Sequence, residues 1–296
     1  MRALLLTFTL LLVIPAVVAA ESPALPSLND LMKGGLDEAE EFIESFVDEH
    51  PDHAEAHYMR GAIMGMQASD SIFSALGYAK KSLSSFQRAV ELEPESVEYR
   101  QGLISFYMAA PGIAGGDMDK AWQHIQTMQD YDAKTALQME LAYWQVQEDE
   151  DKFKAALNRG LEKFSEHPDF YYRAGLMAQE EQHFDQAHDH FDACIGTTIE
   201  TEMAASIELN CLYQVGRTAL FSEQRVADGI AALEDYQQRE LPNNVPGKEW
   251  AKARLAALYL LADRTDDAQQ LVQTIDAGDD ENLAEELESL RQRVRP

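Results

Sequence analysis

The chain has 296 residues, with 24 basic against 52 acidic side chains and 46% apolar composition. A surface that negative repels nucleic acid and anionic membrane, because neither Coulomb attraction nor counterion release is available to it. The apolar fraction is too high for a disordered acidic chain, so a folded core is expected.

Met1 and Arg2 lead into an apolar stretch, Ala3 to Val18, interrupted only by Thr7, Thr9 and Pro15. Val18-Ala19-Ala20 then places small residues just ahead of the polar Glu21. Residues 1–20 are therefore expected to be a secretory signal peptide, and Pro15 with the small-residue ending favours removal over retention as an anchor. No second long apolar run follows, so no membrane insertion is expected after cleavage. The expected location is the periplasm if the source is a Gram-negative bacterium. Residues 21–36 read as an N-terminal linker.

From there helical periodicity runs almost to the end, with no alternating stretch that reads as a strand. Ala39, Phe42, Ile43 and Phe46 form the apolar face of a first helix. Pro51, Pro94, Pro168 and Pro242 then punctuate the pattern at intervals of 43, 74 and 74 residues, and 74 is twice 37. A period in the thirties means helix-turn-helix units stacked on one another.

The first unit carries Gly61 in its opening helix and Phe86, Ala89 and Pro94 in its second. Between them Gln67–Gly77 is longer than a plain turn. Asp70 or Ser71 is expected to cap a second helix lengthened by two turns, with Ile72, Phe73, Leu76, Ala79 and Leu83 on one face. The next unit has Gly102 and Ala121, separated by a second insertion, Ala109–Asp117. There Pro111, Gly112, Gly115 and Gly116 suit a tight turn, with Asp117 capping the helix that follows. A phosphate-binding role for these glycines is disfavoured, since no strand precedes them and no Gly-Lys-Ser/Thr ending follows. Both insertions join the first helix of a unit to its second, so they should project from the same edge.

A weaker unit spans Thr135 to Pro168, with Ala142, Ala156 and Phe164. The clearest runs from Pro168 to Ile199. Tyr171, Ala174, Gly175 and Ala178 share one helix face, and Phe184, Ala187, Phe191 and Cys194 share a face of the next. Gly175 and Ala187 are small because two helix axes must approach closely there. Two further units carry Leu212, Gly216, Ala219, Gly229, Leu233, Tyr236 and Pro242, then Leu255, Ala256, Tyr259, Ala268 and Val272. Asp279 and Asp280 open a final helix that Arg291, Arg293 and Arg295 close, a charge order that complements the helix dipole.

This pattern of a large residue, a small one, alanine and an aromatic resembles the tetratricopeptide repeat (TPR). The phrases FYMAAPGIAGGDMDKA and YQVGRTALFSEQRVADGIAALEDY are similar to those of exported bacterial TPR proteins with an APGIAGG insertion. The resemblance implies an all-α, right-handed TPR superhelix (α-solenoid) of about six helix-turn-helix units over residues 37–296, with a capping helix at about 280–294. In TPR proteins the first helix of each unit lines a concave surface. That arrangement makes Tyr58, Tyr99, Leu103, Tyr107, Met139, Tyr143, Tyr172, Tyr213 and Arg217 the groove-facing residues. Tyrosine offers a large contact and a hydroxyl at small entropic cost, which suits peptide or ligand capture. The same rings would also serve to pack neighbouring first helices together.

Other chemistry is sparse. Cys194 and Cys211 are the only cysteines; export would permit a disulfide, while their inward-facing positions suit two buried thiols. His50, His53 and His57, and His183, His188 and His190 beside Asp185, Asp189 and Asp192, read as solvated helix surface. No His-Glu-x-x-His, paired Cys spacing or Gly-x-Ser-x-Gly elbow is present. No enzyme activity, metal or cofactor is expected. The expected role is an exported scaffold that binds a protein or peptide in its groove. The alternative is a small-molecule binding subunit serving an envelope transporter, its ligand held between groove and insertions.

Overall fold

The computed structural model describes residues 23–71, 73–199 and 201–295. The expected signal peptide at residues 1–20 lies outside the described residues, as does Ile72. The described residues are helical and turn segments, and they fall into two compact units, Met1–Tyr131 and Asp132–Pro296.

Short polar side chains set the helix starts. Ser96, Asp117, Asp132, Asp149, Thr201 and Asp280 each accept the backbone N–H three residues further on. Each thereby satisfies one donor that a helix leaves unpaired in its first turn. Pro168 sits at the first helical position, where its missing N–H costs nothing.

In the first unit, α1 (Leu28–Met32) and α2 (Leu36–Glu49) precede two hairpins, α3 (Ala54–Asp70) with α4 (Ala75–Leu92) and α5 (Val97–Ala109) with α6 (Met118–Met128). Residues 21–36 are more than a linker: they contain α1. Leu25, Leu28, Leu31 and Met32 pack against the buried Ala39, Ile43, Ala56 and Ile63. The first insertion also differs from expectation. Both helices are long, α3 with 17 residues and α4 with 18, but Ser71 ends α3 and α4 starts only at Ala75. Phe73 is consequently fully exposed instead of joining an apolar face.

The second unit contains four hairpins: α7 (Ala133–Val146) with α8 (Glu150–Lys163), α9 (Pro168–Glu180) with α10 (Phe184–Ile195), α11 (Glu202–Ser222) with α12 (Val226–Gln238), and α13 (Lys248–Leu261) with α14 (Thr265–Val272). α15 (Glu281–Arg293) packs on α13 and α14, burying Leu283, Leu287 and Leu290. Three of the four hairpins turn in the same way. Glu148, Gln182 and Asp263 have positive φ, and the next N–H reaches back to the carbonyl of Trp144, Ala178 and Tyr259 at 2.8–3.0 Å. That is the usual left-handed ending of a helix, made here without glycine.

The small-against-large contacts inside the hairpins are as the repeat pattern requires. A Cβ on Gly61 would lie 2.7 Å from the Phe86 ring, and one on Gly175 would lie 2.4 Å from the Phe191 ring. Cys194 and Cys211, left open between thiols and a bridge, form a disulfide joining α10 to α11. Two histidines read as solvated surface are instead buried: His57 is 5% exposed and His188 not at all. Their neighbours explain it. His57 bonds the Pro51 carbonyl at 2.8 Å. His188 takes the place beside Ala187 on the inward face of α10, near Arg225, which bridges Asp192 and Asp228.

Candidate groove in the second unit

Within Asp132–Pro296, α9 lies against α11 and α11 against α13. The predicted groove residues do not all reach the open face of their helices. In the first unit Tyr99 is 9% exposed, Leu103 1% and Tyr107 3%. Tyr99 lies 5.1 Å from the half-buried Tyr58, and burial, with Glu93 next in effect, pushes its hydroxyl up to about 12. Tyr107 stacks on His124 and accepts a hydrogen bond from Gln87 Nε2 at 2.9 Å. In the second unit Tyr143 and Tyr213 are each 6% exposed. The Tyr143 hydroxyl accepts from Gln147 Nε2 at 3.1 Å, and that of Tyr213 accepts from Arg254 Nε at 2.7 Å. Five of the nine are thus interior packing residues, a correction to their expected groove-facing placement. Tyr99 packs towards Tyr58 on α3 and Tyr213 meets Arg254 on α13, while Tyr107 is held by His124 on α6 and Gln87 on α4. Tyr58, Met139, Tyr172 and Arg217 remain half-buried.

What lines the open face of the second unit is a different set. A cavity of about 590 Å³ lies between the α7–α8 turn and the C-terminal half of α9, walled by Trp144, Phe153, Leu176 and Met177 and edged by Glu148, Glu150, Glu180 and Glu181. Leu176 and Glu180 are shared with an adjoining cavity of about 510 Å³, whose far wall is Arg217 and Phe221. Apolar walls with a few polar groups are the usual composition of a binding cleft.

The electrostatics change along this face. The first cavity carries four glutamates, of which Glu150 and Glu181 are bridged by Lys154 at 2.6 and 2.7 Å, while its Arg173 is paired with Asp169 at 3.1 Å. Further along stand two arginines held by neutral groups. Arg217 donates to Gln179 Oε1 at 3.0 Å and Gln214 Oε1 at 3.4 Å, and lies 4.9 Å from the centre of the half-exposed Phe221 ring. Arg254 is held by the Tyr213 hydroxyl, with its guanidinium 5.5 Å from the centre of the Trp250 ring. Neither has a carboxylate partner among the described residues. Burial, then the charge of Arg254, lowers the pKa of Arg217 from its ordinary value, yet a guanidinium stays charged at any physiological pH.

The sequence reading found Arg217 and missed Trp144, Leu176, Phe221 and Arg254. One signal was available: Arg217 and Arg254 are 37 residues apart, the repeat period itself. The two insertions of the first unit meet as expected. The ends of α3 and α5, the start of α4 and the Pro111–Ala114 turn enclose an apolar cavity of about 450 Å³. Asp117 caps α6, and Gly116 is required because a Cβ there would stand 1.7 Å from the Ala110 carbonyl oxygen.

No protein-family model matches the chain, and no curated protein is similar in sequence. Solved structures do resemble it. A chain of the APC/C hetero-tetramer Cut9–Hcn1 aligns with a TM-score of 0.53 at 14% identity, over 89% of this chain and 48% of that one. This chain therefore spans about half the length of that relative. Pseudomonas aeruginosa pilF aligns with a TM-score of 0.50 at 13% identity, over 81% of this chain and 96% of that one. A tetratricopeptide repeat protein from Parabacteroides merdae aligns over 89% and 96% with a TM-score of 0.47 and 14% identity. At such identities what is shared is the fold: an all-α stack of TPR-like helical hairpins.

Proposed function

We propose that the protein is an exported scaffold that binds an extended protein segment along the α9–α11–α13 face of its second unit. One observation carries the reading. In a chain with more than two acidic residues for each basic one, Arg217 and Arg254 sit half-buried beside aromatic rings, held only by glutamine and tyrosine oxygens. Two such cations repel each other, and a carboxylate placed between them would relieve that repulsion. The segment bound would place apolar and basic residues in the glutamate-edged cavity and an acidic group, side chain or C-terminus, at the arginines. Aromatic and arginine anchors are the usual carriers of binding energy. Export is supported by the buried Cys194–Cys211 bridge, because such bonds persist in oxidising compartments.

The test is a peptide array probed with the full chain and with Arg217→Ala/Arg254→Ala. Peptides ending in a free carboxylate, or carrying an internal acid, are expected to bind the parent about 10- to 100-fold better than the variant, the usual range for hydrogen bonds to a charged group. Amidating or neutralising that acid should erase the difference. Equal binding by parent and variant, with unchanged helicity, would sink the proposal.

The 450 Å³ cavity of the first unit favours a second reading, in which a small apolar ligand occupies it. Its lining is alanine, glycine, Leu76, Phe106, Pro111 and Ile113, with Ser69 the one polar side chain. If so, medium-chain alcohols should raise the melting temperature of the parent and leave an Ala79→Phe variant, with the cavity filled, unmoved. No shift in either protein rejects this reading.

A further inference from the structure

Arg100, on α5, is an unusually placed charge. It is 6% exposed and makes no ion pair among the described residues. One terminal nitrogen donates to the Pro94 carbonyl, the other to His124 Nδ1 at 2.9 Å, and the guanidinium lies 5.6 Å from the centre of the Tyr131 ring. A guanidinium has donors and no acceptors. His124 Nδ1 must therefore present a lone pair, which makes the imidazole neutral with its proton on Nε2. The ring is fixed in place by stacking on Tyr107, 5.7 Å between centroids.

A related pair lies within α3, three residues apart, and reaches α4 through Arg60. His57 Nε2 donates to the Pro51 carbonyl at 2.8 Å, and its Nδ1 faces an Arg60 terminal nitrogen at 3.4 Å. Arg60 Nε is held by Ser85 Oγ at 2.9 Å, with Glu44 at 3.7 Å from a terminal nitrogen.

We propose that the Arg100–His124 and Arg60–His57 pairs are a proton-triggered release in the first unit. A proton on either imidazole converts the accepting nitrogen into a donor aimed at a guanidinium. Two cations are then in contact in a poorly solvated place, and the α5–α6 and α3–α4 hairpins loosen. The charged groups around each ring support this direction. His124 is faced by Arg100 from α5 and by Lys120 of its own helix, both of which oppose protonation. His57 is faced by Arg60 and Arg88, which oppose it, and by Asp52, which favours it. Burial is the largest influence on both and acts with the arginines, so both rings titrate below the usual 6.5.

The sign follows from linkage. Between 6.5 and the lower folded values the unfolded chain binds more protons than the folded one. The stabilisation is complete above 6.5 and is lost as pH falls through the folded values. The chain's net charge predicts the reverse. At a formal −28, acidification towards its isoelectric point near 4.5 should relieve self-repulsion and stabilise the fold.

The experiment is thermal unfolding of the full chain, without any partner, between pH 7.5 and 5.5, with hydrogen exchange followed by mass spectrometry. The melting temperature should fall by on the order of 5 °C, and the protection of α5 and α6 amides, expressed relative to their slower intrinsic exchange at low pH, should fall. In His57→Gln/His124→Gln the glutamine oxygen can still accept from arginine but takes no proton, so the first unit's loss of protection should vanish. A parent melting temperature that rises on acidification overturns the proposal, as does an equal pH response of the first unit in the variant. Should the variant fold poorly, NMR titration of the parent decides: His57 and His124 must titrate below 6.5, and values at or above it refute the idea. Peptide binding at the second unit is not measured, so this result and the groove reading fail separately.

Discussion

Reduction of the Cys194–Cys211 bridge should lower the stability of the second unit by about 3 kcal/mol, the loop-entropy value for a closed loop of this size. The two cysteines are 17 residues apart and tie the end of α10 to the middle of α11. Both are fully buried among Ala187, Phe191, Leu212 and Val215. The bridge acts chiefly by restricting the unfolded chain, so its loss should show in the melting temperature more than in helicity. For a unit of this size a drop of roughly 6–12 °C is expected. Calorimetry of Cys194→Ala/Cys211→Ala beside the parent, with thiols counted after denaturation, checks it. Two free thiols in the denatured parent, or equal melting temperatures, would contradict the bridge.

Gly175→Ala should also destabilise the second unit, although alanine is the better helix former by about 1 kcal/mol. The added methyl would lie 2.4–2.7 Å from three atoms of the Phe191 ring. Phe191 is fully buried on α10 and has no free volume to move into. Overpacking of this kind costs about 1–3 kcal/mol, so after the gain in helix propensity the net loss is at most about 2. The informative comparison is a double-mutant cycle. Phe191→Leu alone opens a void, and Gly175→Ala with Phe191→Leu refills part of it. The double variant should be more stable than the sum of the singles implies, by about 1 kcal/mol. Additive losses in urea unfolding would show that the two residues do not share the contact.

Much of the fold was legible because a repeat is specified locally. Gly61, Gly175 and Gly216 were readable as close approaches, since a hairpin's two helices meet inside one period. Caps such as Asp117 and Asp280 act across three residues and need no tertiary information. The turns at Glu148, Gln182 and Asp263 were less legible. Each adopts a conformation that glycine normally marks, so their chemistry carried no signal. The first insertion was misassigned for a related reason: Asp70 and Ser71 suit a helix start, and the chain uses Ser71 to end α3 instead.

The candidate site was the harder part. Tyr99, Tyr107, Tyr143 and Tyr213 recur at matching places, and recurrence alone does not say whether a ring faces a groove or a neighbouring helix. Tyr99 meets Tyr58, and Tyr213 meets Arg254, on a first helix a whole repeat away. The same distance hides the Gln179 partner of Arg217 on α9, whereas Arg100 and His124 meet inside one hairpin and were missed because a polar pair leaves no mark in an apolar pattern.

The sequence by itself therefore determined the helices, their caps, the hairpin period and the small-against-aromatic contacts within each unit. All of these are set by interactions spanning a few residues or one turn. Only the tertiary structure decided that Cys194 meets Cys211, that His57 and His188 are buried, and that Arg217 and Arg254 have no carboxylate partner among the described residues. Those outcomes depend on which side chains from different helices share a small volume, and helical periodicity carries no information about that.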